Sequence, residues 1–539
     1  MKIHFKPLQI LVIILTGIQL TAQNVVITGS EVPVTDTEHG QVRGYIHNDI
    51  NTYKGIQYAT AKRFEAAVKP ASWEGVKSTT MYGPVSPLIN ETTSIQDESE
   101  FVFDHDWGFP NEECLSLNIW SPSVTDTKKR PVLFWIHGGG FTTGSSHELP
   151  SYDGENLAKK GDVVVVTINH RLNVLGFLDL SAYGDKYKHS ANNSILDMTM
   201  ALEWVKNNIS NFGGDPNNVT IFGQSGGGAK VNTLMAMPKA KGLFHKAINQ
   251  SGSFRSAMLE KEDTQDIAKE TIAILGLDDS NIDSIQNIPF EVLADASSKA
   301  LGIVAEKMKA AGKPVIGFGL SWGPSRDGND LPYQISSPEA LALSKDIPLL
   351  IGTVKNEFAP FANMRFAGAS EETIMNHIKE TYKENADAYI TAVKKAYPTD
   401  TDPKDLLDVD TMFRPGAVLQ ANDKSALKDG APVYMYLFTW QSPVFDGKYK
   451  ALHCMELPFV FDNISLANQM TGGGEDAQVL AEKMSGAWIN FAKTGNPNYK
   501  NLPEWPAYNE DNTATMHFDL ECKVNPQMDK ELFELVKTN

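Results

Sequence analysis

Short apolar runs alternate along the chain with stretches of helical periodicity. Residues 132–136 form a brief apolar run that ends at three glycines. Residues 163–168 are almost uninterrupted valine, the pattern of a strand buried on both faces. Residues 197–209 have helical spacing, with Met198, Ala201, Leu202, Val205 and Ile209 on one side. Residues 219–222 predict the next strand and 229–237 the helix after it, and 348–352 and 433–439 predict two more strands. Strands alternating with helices predict an α/β fold, with a central, mostly parallel twisted sheet flanked by helices. Residues 254–347 and 371–410 turn helical and polar, as expected of cap insertions covering a site. There is no internal repeat and no long linker, so residues 23–539 are expected to form a single domain.

The first residues follow another pattern. Lys2 and Lys6 precede an apolar run from Leu8 to Leu20, broken by Gln9, Thr16, Gly17 and Gln19, and Thr21-Ala22-Gln23 offers a small residue for cleavage. This is the layout of a secretory signal peptide over residues 1–22. The run is short and polar-flecked for the competing role of a membrane anchor. No later segment is apolar enough to span a bilayer, so an exported protein, periplasmic or secreted and without stable membrane insertion, is expected.

Composition narrows the function classes. Among 539 residues, 48 are basic and 66 acidic, a net charge of −18. Such a surface repels phosphate backbones, so nucleic acid is not an expected partner. Apolar residues make up 42% and charged residues 21%, which places the chain among globular proteins. The three cysteines, Cys114, Cys454 and Cys522, form neither a disulfide framework nor a C-x-x-C pair. Five N-x-[ST] triplets, at Asn90, Asn192, Asn208, Asn218 and Asn463, matter only in a glycosylating host.

Two glycine motifs carry the chemistry. Gly223-Gln224-Ser225-Gly226-Gly227 sits between the strand predicted at 219–222 and the helix at 229–237. A G-x-S-x-G turn in that context is a nucleophile elbow: the turn is so tight that glycines must flank the serine, whose hydroxyl is exposed at a helix N-terminus. His137-Gly138-Gly139-Gly140-Phe141 follows another strand, and its free N–H groups are suited to a tetrahedral oxyanion. A serine hydroxyl needs a base, and the base needs a carboxylate to orient it. Twelve histidines are present, and neither His453, in a loop after the strand at 433–439, nor Glu357, after that at 348–352, is singled out by local pattern.

Longer stretches are recognisable. The chain resembles the type-B carboxylesterase family, the cholinesterase-like branch of the α/β-hydrolases. The resemblance rests on Glu113-Cys114-Leu115-Ser116-Leu117-Asn118-Ile119-Trp120, the 137–141 loop, Asn169-His170-Arg171-Leu172, Asn211-Phe212-Gly213-Gly214-Asp215-Pro216 and Gln250-Ser251-Gly252-Ser253. Late matches are Glu456-Leu457-Pro458-Phe459-Val460-Phe461 and Trp488-Ile489-Asn490-Phe491. It implies an α/β-hydrolase fold and a triad of Ser225, Glu357 (set by a Gly-x-x-x-x-Glu pattern from Gly352) and His453 (just before Glu-Leu-Pro-Phe). It also implies oxyanion donation by the amides of Gly139, Gly140 and Gly226, and support of the acid by Ser251.

Three departures shape the expected function. Ser86, in Gly83-Pro84-Val85-Ser86-Pro87, removes the cysteine that often bridges to the position of Cys114, so a free thiol is expected there. Gln224 stands where cholinesterases carry glutamate, and Trp107 is out of register with their choline-site tryptophan, which suggests ordinary packing for it. The expected activity is hydrolysis of neutral, apolar or aromatic carboxylic esters through an acyl-enzyme, without metal or cofactor, on a small-molecule or polymer substrate, by a monomer or weak oligomer. Alternatives are a lipase, a polyester or carbamate hydrolase, or a catalytically silent adhesion-type relative, which would typically have lost the nucleophile.

Overall fold

A computed structural model describes residues 25–89, 98–253, 258–315 and 319–537. The leader expected at 1–22 and the triplet at Asn90 lie outside the described residues. A 12-stranded sheet forms the centre. Its strands are β1 (Val26–Ile27), β2 (Tyr45–His47), β3 (Ile50–Gln57), β4 (Ser116–Ser121), β5 (Arg130–Ile136), β6 (Val164–Ile168), β7 (Gly214–Gln224), β8 (Lys246–Gln250), β9 (Leu349–Val354), β10 (Val433–Phe438), β11 (Thr515–Phe518) and β12 (Lys523–Asn525). Their spatial order is β1-β2-β3-β4-β6-β5-β7-β8-β9-β10-β11-β12. From β6 to β11 every pairing is parallel, while the outer pairings are antiparallel.

The apolar runs are continuous because both faces of the sheet are covered. Along β5, Val132, Phe134 and Ile136 enter one core cluster, and Leu133 and Trp135 the other. In β6, Val164 and Val166 separate from Val165 in the same way, and branched Cβ atoms suit such a pleated, packed surface. The helix expected at 197–209 is α1 (Asn193–Asn208), and it departs from a one-sided pattern. Its polar residues Asn193, Ser194, Asp197 and Thr199 are buried too. Asp197 can be inside because it accepts from Arg171 Nε at 2.8 Å and Nη2 at 2.7 Å.

Further helices are α2 (Gly226–Met235), α3 (Lys261–Ile274), α4 (Phe290–Ala310), α5 (Glu371–Tyr382), α6 (Ala386–Ala396), α7 (Phe413–Ser425), α8 (Glu475–Thr494) and α9 (Lys530–Lys537). The first insertion carries α3 and α4. The second carries α5 and α6, whose Ile374, Ile378, Tyr389 and Val393 gather with Leu532 and Phe533 of α9 into a separate apolar cluster. Asn192, Asn208 and Asn463 of the glycosylation triplets are buried, and Asn463 Nδ2 donates to the carbonyl of Asp153 at 2.7 Å. Among the described residues no helix is long and apolar enough to cross a membrane. All three cysteines are free, and burial pushes the Cys114 thiol up to about 12.

Candidate active site

The parallel register aligns the C-terminal ends of four strands. Ile136 pairs with Gly223, Gln224 with Gln250, and Gln250 with Gly352. The residues that follow these ends therefore emerge along one edge, where open α/β sheets bind ligands. They include the 137–141 loop, Ser225, Ser251 and the turn to Glu357.

Ser225 links β7 to α2 with φ 56° and ψ −125°, a conformation that non-glycine residues rarely adopt. Its N–H donates to the carbonyl of Gln250 at 2.8 Å, which fixes the turn. The flanking glycines are a steric necessity. A Cβ on Gly226 would lie 2.1 Å from the Gly140 carbonyl oxygen, and one on Gly227 would lie 2.0 Å from that of Ile136. That same closeness brings the 137–141 loop against the elbow. Among the described residues, no acceptor takes the amides of Gly139, Gly140 or Gly226. Gly139 and Gly140 line the cavity beside Ser225, and Gly226 touches Gly140 at its margin.

Glu357 and His453 meet although 96 residues separate them. Glu357 forms a parallel bridge with Leu452, and His453 N–H donates to the Glu357 carbonyl at 3.2 Å. This main-chain pairing holds the Glu357 Oε2–His453 Nδ1 hydrogen bond. The other carboxylate oxygen accepts from Ser251 Oγ at 2.6 Å and from Val354 N–H at 3.1 Å. The rings of Phe358 and Phe413 pack on the imidazole, with centroids at 4.2 and 5.0 Å. Burial, outweighing the pull of Glu456 and Asp410, holds His453 below the usual imidazole range. The resting imidazole is therefore neutral, as a base requires. Among the described residues no hydrogen bond joins Ser225 Oγ to His453; instead Gln224 Nε2 lies 3.3 Å from His453 Nε2. Hydrogen bonds between a serine and a candidate histidine base are commonly long without substrate and tighten when it binds.

Ser225, His453, Gly139 and Gly140 line one cavity of about 430 Å³. Its walls are Phe103, Phe141, Tyr152, Phe358, Met412 and Phe413, with Trp107 stacked on His105 at 4.4 Å. Trp107 is thus packed on His105 and is also part of the cavity wall. The first insertion contributes Gly319 and Ser321, whereas the second contributes none of the lining residues between 371 and 410.

Several groups escaped sequence reasoning. Glu148 lines the cavity, accepting from Ser145 N–H and Tyr152 hydroxyl, both at 3.1 Å, and burial raises its pKa. Glu456 is buried near His453 and pushed up to about 7, mainly by burial. It is not the partner of Nδ1, since its Oε1 accepts from Gln250 Nε2 at 3.1 Å. Lys230 lies under the glycine loop. The available signal was its place as the lone charge in the apolar stretch 226–237.

Comparison with known proteins agrees with this architecture. The model of the carboxylesterase family matches residues 31–535. A para-nitrobenzyl esterase of Bacillus subtilis (strain 168) is 35% identical over 508 residues, covering 92% of this chain and 97% of its own. A phenmedipham hydrolase of Pseudarthrobacter oxydans is 32% identical, covering 90% of this chain and 94% of its own. Among solved structures, an esterase from anaerobic Clostridium hathewayi that can hydrolyze aliphatic aromatic polyesters superposes with TM-score 0.82 at 38% identity, covering 94% and 98% of the two chains. The chain belongs to the carboxylesterase family of α/β-hydrolases and is an ester hydrolase.

Proposed function

We propose that this chain hydrolyses neutral carboxylic esters with apolar or aromatic groups through an acyl-enzyme on Ser225. Ser225 Oγ attacks the carbonyl carbon while His453 Nε2 takes its proton. The tetrahedral oxyanion receives the amides of Gly139, Gly140 and Gly226. His453 then protonates the leaving alcohol, and water repeats the sequence on the acyl group. Glu357 keeps Nδ1 protonated and stabilises the imidazolium. The observation that carries this reading is the Glu357–His453 pair on the same cavity as the strained Ser225 and the unspent amides of the glycine loop.

The substrate class rests on the cavity walls, which are mainly aromatic, and on the neutral Gln224 beside the nucleophile. Glu148 is a weak cation site, because burial favours its neutral form and its oxygens are already engaged. Relatives that act on polyesters and on phenmedipham support extension to polymer or carbamate substrates as a second activity of the same site. The layout of residues 1–22 supports export of the protein.

The test compares kcat/KM for butyrylthiocholine with that for an uncharged butyrate thioester of similar size. Lack of a carboxylate next to the nucleophile costs a cation a few kcal/mol, and Trp107 returns about 1–2, so the neutral ester is expected to win by roughly tenfold. A choline ester preferred at moderate salt contradicts the substrate class.

A further inference from the structure

Lys230 lies on α2, four residues after Gly226 and so on the same helix face, and it is fully buried. Its Nζ donates to the main-chain carbonyls of His137 at 3.0 Å and Gly138 at 3.2 Å. Among the described residues no carboxylate bonds to it, and Glu148 acts on it at longer range. Burying an ammonium is costly, and here burial pulls it down to about 7. Such a group in a helix core calls for a reason.

The reason follows from the peptide plane. The Gly138 carbonyl and the Gly139 N–H belong to one rigid planar unit and point in opposite directions. Fixing the oxygen from behind aims the N–H at the front, and a positive charge on the oxygen polarises the N–H into a stronger donor. The other two candidate oxyanion amides are braced alike. The Gly139 carbonyl, joined to the Gly140 N–H, accepts from the amides of Thr142 at 3.2 Å and Thr143 at 3.0 Å. The Ser225 carbonyl, joined to the Gly226 N–H, accepts from Ala229 N–H at 3.0 Å. Among the described residues, only the Gly139 peptide of the three is braced by an ionisable side chain, the amine of Lys230. The His137 ring also reaches the Gly138 oxygen, with Nδ1 at 3.1 Å, but burial holds that imidazole well below the usual range, so it brings no charge.

We propose that Lys230 is a positioning residue for ester hydrolysis: its ammonium holds and polarises the Gly138–Gly139 peptide so that the Gly139 amide meets the oxyanion. One helix then supplies the nucleophile's turn, the Gly226 amide and the brace of the opposite loop. The proposal rests on the reading of Ser225 and the glycine amides given above.

The experiment measures kcat, KM and the inhibition constant of an alkyl trifluoromethyl ketone, which forms an oxyanion hemiketal, for wild type, Lys230→Met and Lys230→Gln. Removing an oxyanion donor outright costs about 10²–10³ in kcat, so misaligning one is expected to cost about 10- to 30-fold in Lys230→Met. KM should stay within about threefold and the ketone should weaken in parallel with kcat, since both report the oxyanion. Lys230→Gln, which keeps a neutral donor, should fall between. A merely structural lysine would lower the melting temperature without weakening the ketone relative to substrate. Unchanged kcat and ketone affinity in folded Lys230→Met, or failure of both variants to fold, overturns the proposal. Ser225→Ala in the same series separates the two readings: if it stays active the parent reading fails, whereas if it is dead while both lysine variants keep full kcat, only the role of Lys230 fails.

Discussion

Around Ser225 the site is made of main chain; around His453 it is made of buried titratable side chains. On the first side, Gly138–Gly140 and Ser225–Gly227 interlock so closely that a single methyl on Gly226 or Gly227 has nowhere to go. On the second, Glu357, Glu456 and Asp410 gather around one buried imidazole, each pushed up mainly by burial. The first side depends on shape and the second on electrostatics. They are expected to fail differently: one by adding an atom, the other by changing a charge at constant shape.

The sharpest separation comes from Glu357→Gln. The variant keeps size and burial, but a neutral amide cannot stabilise the imidazolium, and it favours the wrong tautomer. A loss of about 10³–10⁴ in kcat is expected, with the fold preserved by circular dichroism. Turnover equal to wild type would transfer the acid role to another carboxylate, with Glu456 the nearest rival. Gly227→Ala should break the other side. Its Cβ would lie 2.0 Å from the Ile136 carbonyl oxygen, so backbone must move. Overpacking of this kind costs about 1–3 kcal/mol of stability, and a displacement of about 1 Å at the reacting atoms costs roughly 10²-fold in rate. A lowered melting temperature together with lowered kcat marks the shape-dependent side. A Gly227→Ala enzyme with both intact would contradict the close packing.

The mildest test is pH. In the proposed role of base His453 must be neutral, and its folded pKa is lowered from 6.5 by burial. Activity is therefore present above that lowered value and lost as pH falls through it. The acid limb of kcat/KM for the free enzyme should have its midpoint below 6.5. A midpoint above 6.5 would mean that the carboxylates outweigh desolvation around the ring.

The same division explains what could be read in advance. The elbow and the glycine loop are local: each is a handful of consecutive residues after an apolar strand, and each strand appears where the apolar run predicts it. His453, by contrast, is one of twelve histidines and is distinguished only by a carboxylate 96 residues away. Local pattern holds no trace of that pairing; only resemblance across many stretches singled it out. The outer antiparallel strands β1 to β4, the inner β8 and the terminal β11 and β12 escaped too, because they are short or lack a continuous apolar run. In α1, periodicity pointed to one buried side, while Asp197 lies inside on the strength of Arg171, a partner that no spacing reveals. Lys230 shows the converse: a lone charge among apolar helix residues was visible, but the carbonyls it serves were not.

The central claim is that ester hydrolysis runs through Ser225. The direct measurement is kcat for a p-nitrophenyl ester by Ser225→Ala, alongside its melting temperature. The hydroxyl lines the cavity and has no hydrogen-bond partner among the described residues, so its loss should leave the melting temperature near that of wild type. Loss of a triad nucleophile should lower kcat by about 10⁶, leaving only the weak catalysis of the oxyanion amides. An alanine variant that retains even a tenth of wild-type turnover would contradict the account.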